Sequence, residues 1–104
     1  MEQLTDLDKQ VGEAWATLRN GDKSMAGRGF EAVLQREPKH VDALYGLGLV
    51  CKHTGAPAEA RTHWQRALEL VQAQLAELGT ERSLRRERAY MLSTMLKQRL
   101  DEIA

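Results

Sequence analysis

Residues 41–74 read VDALYGLGLVCKHTGAPAEARTHWQRALELVQAQ, and residues 7–40 repeat their pattern at an offset of 34 positions. The positions that agree carry glycine, alanine or a large apolar residue in both stretches. The pairs are Ala14 and Gly48, Gly21 and Gly55, Ala26 and Ala60, Phe30 and Trp64, Val33 and Ala67, and Leu34 and Leu68. A period of about 34 residues is typical of an array of stacked helix–turn–helix units.

Apolar residues recur at helical spacing through the whole chain, and no alternating strand pattern interrupts them. The spacing predicts an all-α protein of five helices. The first is capped by Thr5 or Asp6 and ends at residues 20–22, and the others span about 23–36, 41–53, 57–78 and 81–103. Pro38 closes the second helix, whereas Gln72 stands at the equivalent place in the fourth, so we expect the fourth helix to run on to about residue 78.

The fifth helix does not continue the 34-residue period. Its apolar side chains spread over about half of the helix circumference, which is more than one packing contact requires. They are Leu84, Ala89, Met91, Leu92, Met95, Leu96, Leu100 and Ile103.

The repeated positions give the chain a family resemblance. At Gly21, Asp22, Ala26, Phe30 and Pro38, and again at Leu44, Leu47, Gly48, Gly55, Ala60, Trp64 and Ala67, it resembles two tetratricopeptide repeats. The resemblance implies antiparallel helix pairs that stack into a right-handed α-superhelix. It divides the single domain, 1–104, into repeat one (7–40), repeat two (41–74), and a segment (75–104) that extends the fourth helix and adds a C-terminal capping helix.

The resemblance also implies how the helices pack. In this family small residues let paired helices approach closely, and a large aromatic side chain fills the space between repeats. Here Gly48 and Ala14 would be the points of close approach, Ala26 and Ala60 would be their partners, and Phe30 and Trp64 would fill the space. Gly27 and Gly29, inside the second helix, indicate either close packing or a weak helix.

The family uses the inner helix of each pair to line a concave surface that binds other polypeptides. The resemblance therefore implies a non-catalytic interaction module that binds an apolar or helical segment of a partner. Lys and Asn side chains that would hold a terminal carboxylate are not present at the centre of the predicted groove. The residues expected to contact the partner are Val11, Trp15, Leu18, Arg19, Tyr45, Leu49, Lys52 and His53. The alternatives are that the last helix fills this groove, or that the groove or the last helix pairs with a second copy in a homodimer.

Charge and composition argue against binding to nucleic acid or to a membrane. Lys plus Arg and Asp plus Glu number 15 each, so no net charge favours nucleic acid or a membrane surface. Arginines cluster at residues 82–88, but Glu81, Glu87, Asp101 and Glu102 interrupt them, which favours a solvated helix face over phosphate binding. A single cysteine, an acidic N-terminus and the lack of a long apolar run lead us to expect a cytoplasmic protein.

The histidine, cysteine and carboxylate side chains are not spaced as a metal site or a catalytic site requires. His40, His53, His63 and Cys51 lack the intervals that place two metal ligands on one helix face. The carboxylate pairs lie on predicted helix surfaces without a partner base, and no glycine-rich phosphate loop follows a strand. We therefore expect no enzyme activity, cofactor, metal or small-molecule substrate.

Overall fold

The computed structural model describes residues 5–80 and 82–103 of the 104-residue chain. Three parts of the chain lie outside the described residues, namely residues 1–4, residue 81 and Ala104. The predicted start of the fifth helix and the charge of Glu81 both fall on residue 81. Every regular element in the described part is an α-helix, which confirms the predicted all-α fold. The helices are α1 (Asp6–Arg19), α2 (Lys23–Arg36), α3 (Val41–His53), α4 (Pro57–Leu78) and α5 (Leu84–Glu102).

The first helix pair is delimited by side-chain caps and a glycine turn. The Thr5 hydroxyl accepts a hydrogen bond from the Asp8 backbone at 3.1 Å, and the Asp8 carboxylate accepts one from the Thr5 backbone at 3.2 Å. Gly21, with φ of 91°, turns the chain between α1 and α2. Asp22 then caps α2 by accepting from the Met25 backbone at 3.0 Å.

The second pair repeats the same plan 34 positions later. The imidazole of His40 caps α3 by accepting from the Ala43 backbone at 3.2 Å, and Gly55, with φ of 84°, makes the turn to α4. Pro57 occupies the first turn of α4, where its missing N–H costs nothing. Because no proline follows, α4 continues to Leu78, as the sequence predicts.

The helices pack in chain order. Each of the described helices packs against the helices next to it in the chain, and α1 also touches α3. The fully buried side chains include Phe30 and Val33 of α2, Trp64 and Val71 of α4, and Leu96 of α5. The core therefore runs along the stack from one helix to the next.

Glycines on α3 receive the two large aromatic rings. A Cβ added at Gly46 would lie 2.5 and 2.7 Å from Cε1 and Cε2 of Phe30. One added at Gly48 would lie 2.5 and 2.6 Å from Cδ1 and Cε2 of Trp64. Both rings are fully buried, so they can lie against the α3 backbone only because these two positions have no side chain.

The close approaches differ in detail from the expected ones. The atoms nearest to a Cβ at Gly48 belong to the Trp64 indole, and not to the methyl group of Ala60. Ala14 packs against Gly29, where an added Cβ would lie 3.0 Å from the alanine Cβ, and the expected approach of Ala14 to Ala26 stays a prediction. A Cβ at Gly27 would lie 3.3 Å from Val50 Cγ1. The glycines of α2 thus mark close packing on both neighbouring helices.

Candidate protein-binding surface

An aromatic row crosses the side of the stack where α1 and α3 meet. The rings of Trp15 and Tyr45 lie 6.2 Å apart, centroid to centroid. Trp15 also contacts Phe30 edge-to-face at 5.1 Å, and Tyr45 contacts Trp64 at 6.3 Å. Edge-to-face and tilted pairs at these distances are favourable beyond the area that they bury. The row therefore joins the first helix pair to the second.

Tyr45 is held at both of its ends. Its backbone carbonyl accepts a hydrogen bond from Trp64 Nε1 at 3.1 Å, and its hydroxyl accepts one from Arg99 Nε at 3.1 Å. The hydrogen bond to Tyr45, and then the hydrogen bond to Glu102, raise the pKa of Arg99 above its usual value. Arg99 lies on α5, so the last helix reaches this side of the molecule and contacts α3 there.

An ion-pair network joins the carboxyl-terminal ends of α3 and α5. The Glu102 carboxylate lies 3.1 Å from Lys52 Nζ and 3.0 Å from Arg99 Nη1. The hydrogen bonds from Lys52 and then Arg99 lower the pKa of Glu102. These side chains remain partly exposed to solvent, so each pair by itself contributes little to stability. Their main effect is to fix the position of the end of α5.

The predicted contact residues fall into three classes of exposure. Val11 and Tyr45 are buried, with 5% and 6% of their surface accessible. The half-buried members are Trp15, Leu18, Leu49 and Lys52, and the exposed members are Arg19 and His53. We call the predicted contact residues that retain accessible surface the inner-face set; they are Trp15, Leu18, Leu49, Arg19, Lys52 and His53.

The comparison with known protein families identifies the second helix pair. Residues 41–73 match the family model described as tetratricopeptide repeat. Residues 41–73 of the chain are thus similar to one tetratricopeptide repeat. The matched segment contains α3 and most of α4, together with Gly48 and Trp64, whereas the predicted first repeat lies outside it. No curated protein matches the chain.

Tetratricopeptide repeats generally mediate protein–protein interactions and are generally non-catalytic. No three His, Cys, Asp or Glu side chains within residues 5–80 and 82–103 are grouped so that they could hold a metal ion. Among the helices that the structure describes, none combines the length and the hydropathy that a membrane span requires.

The tetratricopeptide pattern did not reveal the contribution of α5 to this surface. Arg99 and Glu102 contact Tyr45 and Lys52, yet neither was among the residues expected to line the groove. The 34-residue period ends before α5, so it gives no register for the last helix. The only available signal was the placement of one arginine and one glutamate three residues apart near the helix end, which is common on solvated helices.

The last helix, α5, has one buried and one exposed apolar face. Ala89 and Leu96 are buried against the core. Leu84, Met91 and Met95 point outward, with 83%, 62% and 38% of their surface accessible. This division explains the wide apolar spread in the sequence, because only part of the apolar surface of α5 is used to pack against its neighbours.

The single thiol of the chain, that of Cys51, is buried. Cys51 of α3 is 7% accessible, and its Sγ lies 3.9 Å from Glu59 Oε2 of α4. Burial, and then the Glu59 charge, raises the pKa of the Cys51 thiol. A thiol of raised pKa is a poor nucleophile at neutral pH. Nearby, burial lowers the pKa of His63 despite the opposing charge of Glu59.

Proposed function

We propose that this protein is an interaction module whose inner-face set binds an apolar or helical segment of a partner protein. The observation that carries the proposal is the position of Trp15. Its indole is half-buried, and it rests on Phe30 and Tyr45 so that it is rigidly held while part of its surface faces solvent. Pre-ordered aromatic side chains of this kind dominate the energetics of protein interfaces.

The other members of the inner-face set suit a segment that is apolar at its centre. Leu18 and Leu49 add half-buried apolar surface, and Arg19 and His53 add exposed polar groups. We infer that the apolar residues supply affinity and that the charged residues set the register of the partner. The module acts by binding and has no catalytic role, in line with the general behaviour of tetratricopeptide repeats.

The experiment that tests this proposal is capture of a partner by the intact chain, followed by titration of the purified partner. Trp15→Ala should weaken that binding by about 2 kcal/mol or more, as expected for a central aromatic residue. Tyr90→Ala is the matched control, since Tyr90 is a 61% exposed aromatic residue on the solvent side of α5.

Thermal melting of each variant separates binding from stability. If Trp15→Ala and Tyr45→Ala both lower the melting temperature while affinity for the partner is unchanged, the two residues are ordinary core and the inner face is not the binding surface.

A second candidate function is structural homodimerisation through the inner face or the last helix. Three exposed apolar side chains on one face of α5 favour it, because large apolar patches are seldom left uncovered. Light scattering over a wide range of protein concentration distinguishes the two. A tight dimer supports the structural role, and a monomer supports partner binding.

A further inference from the structure

A second surface of the molecule lies at the other end of α5 from Arg99 and Glu102. Between the later turns of α4 and the first turns of α5 is a cleft of about 210 Å³. Its lining combines apolar side chains with two arginines. The lining residues are Gln74, Leu84, Arg85, Arg88, Ala89 and Leu92.

Leu84 is the most exposed large apolar residue of the described chain, at 83%. It forms one wall of this cleft and also borders a shallower depression that it shares with Glu87, Arg88 and Met91. Met91 is itself 62% exposed. A leucine between two depressions presents apolar surface on both of its sides, which favours an occupant with apolar side chains of its own.

The segment of sequence around Leu84 has a net positive charge. Residues 81–88 contain four arginines and two glutamates. Arg86 donates from Nε to the Gly79 carbonyl at 2.8 Å, which directs it toward the α4–α5 turn. Arg82, Arg85 and Arg88 are exposed, and none of them forms an ion pair with another residue that the structure describes. These three exposed guanidinium groups are therefore free of ion pairs with the described residues, which favours an occupant of negative charge.

We propose that this cleft binds an acidic amphipathic segment of a partner protein. Apolar side chains of the segment enter the cleft beside Leu84, and its carboxylates pair with Arg85 and Arg88. Charge complementarity favours an acidic segment, since guanidinium groups form strong paired hydrogen bonds with carboxylates. The exposed Leu84 and Met91 select a polypeptide over nucleic acid, whose phosphates need no apolar surface. The site goes beyond the proposed function because it does not use Trp15 or the inner-face set.

The test uses a synthetic helical peptide in which Leu residues form one face and Glu residues flank them. An analogue with Gln in place of every Glu is the control peptide. Titration of the intact, isotope-labelled chain followed by amide NMR should shift resonances of residues 84–92 and of Gln74. The Gln analogue should bind at least about tenfold more weakly, because it loses the charge-assisted hydrogen bonds.

Variants of the chain sharpen the test. Arg85→Glu combined with Arg88→Glu should weaken the peptide by more than about tenfold, since each lost ion pair is also replaced by repulsion. The single variants Arg85→Glu and Lys97→Glu are also compared, because each makes the same change of charge at an exposed position of α5. Lys97→Glu should leave affinity nearly unchanged.

The apolar part of the site is tested by its own pair of variants, one inside the cleft and one outside it. Leu84→Ser should weaken peptide binding, and Tyr90→Ser, at another exposed position of α5, should not. Circular dichroism of each variant shows that the helices are retained. Trp15→Ala should leave peptide binding intact, so loss of the inner-face function and loss of this site are distinguishable.

Four results would overturn the proposal. The first is equal binding of the Glu peptide and its Gln analogue, and the second is equal loss of affinity in Lys97→Glu and Arg85→Glu. The third is a concentration-dependent shift of the same resonances without peptide, which would identify a second copy as the occupant. The fourth is tighter binding of a random DNA duplex than of the peptide at the same salt concentration.

Discussion

Gly48→Ala is the change that most directly tests how α3 and α4 pack. The added Cβ would lie 2.5 and 2.6 Å from Cδ1 and Cε2 of Trp64, closer than the 3.0 Å that real Cβ atoms keep from their neighbours. Trp64 cannot easily withdraw. Its ring is fully buried, and its Nε1 donates to the Tyr45 carbonyl at 3.1 Å.

Two opposing contributions set the magnitude. Alanine in a helix interior is more stable than glycine by about 0.5–1 kcal/mol. Overpacking of a filled core typically costs about 1–3 kcal/mol. We therefore expect Gly48→Ala to lower the free energy of unfolding by up to about 2 kcal/mol, and Gly48→Leu to lower it more, because its larger side chain meets the same indole.

Gly12→Ala is the matched control. Gly12 lies inside α1, and an added Cβ would have no neighbour within 4 Å. This variant keeps the helix gain without the clash, so it should be more stable than wild type by about 0.5–1 kcal/mol. The difference between the two alanine variants, about 1–3 kcal/mol, isolates the overpacking cost.

The assay is urea or thermal unfolding followed by circular dichroism. In a domain of this size a change of 1 kcal/mol moves the melting temperature by roughly 4–8 °C. Equal gains in Gly48→Ala and Gly12→Ala would refute the close approach. A cost of Gly48→Ala that persists undiminished in a Trp64→Phe background would show that the indole is not the obstacle.

Two further predictions concern the core and the pH dependence of stability. Trp64→Ala should cost about 3–5 kcal/mol, because a fully buried large aromatic leaves a cavity, and a variant that unfolds like wild type in urea would contradict the assigned repeat register. His63 has a lowered pKa, so the unfolded chain takes up its proton first as the pH falls. The free energy of unfolding should therefore decrease as the pH falls below the usual histidine value of about 6.5. His63→Gln should remove part of that decrease in melts between neutral and mildly acid pH, and an unchanged pH profile would show that another group is responsible.

The sequence was sufficient to predict the helices and the two buried aromatic residues. Thr5, Asp22, Gly21 and Pro57 act locally, so their effects on helix ends can be read without knowledge of the tertiary structure. The repeat offset then equates Phe30 with Trp64, and both are fully buried.

The start of α5 was predicted less accurately. The helix begins at Leu84, where Ser83 caps it by accepting from the Arg86 backbone at 3.1 Å. Gly79 and Thr80 break the helical pattern, so the predicted start was placed directly after them, at about residue 81. A serine followed by an apolar residue was the local signal that marks the true boundary.

The functional surface was harder to predict than the fold. Trp15 and Tyr45 were both expected to line the groove, yet Trp15 is half-buried whereas Tyr45 is buried, and Arg99 of α5 donates a hydrogen bond to the Tyr45 hydroxyl. That contact joins residues 54 positions apart and depends on the docking of a helix outside the repeat. Periodicity describes which face of a helix a residue occupies, but it does not say which later element covers that face.

The reaction of the buried Cys51 thiol with a labelling reagent can be used to measure local opening of the structure. This thiol is the only one in the chain, and it lies between α3 and the first turns of α4. Because only 7% of Cys51 is accessible, a thiol reagent should react with it slowly while these helices are packed, and an increase of the labelling rate in native buffer reports their separation. Comparison of that rate with global unfolding would show whether the matched repeat opens by itself or only together with the whole stack.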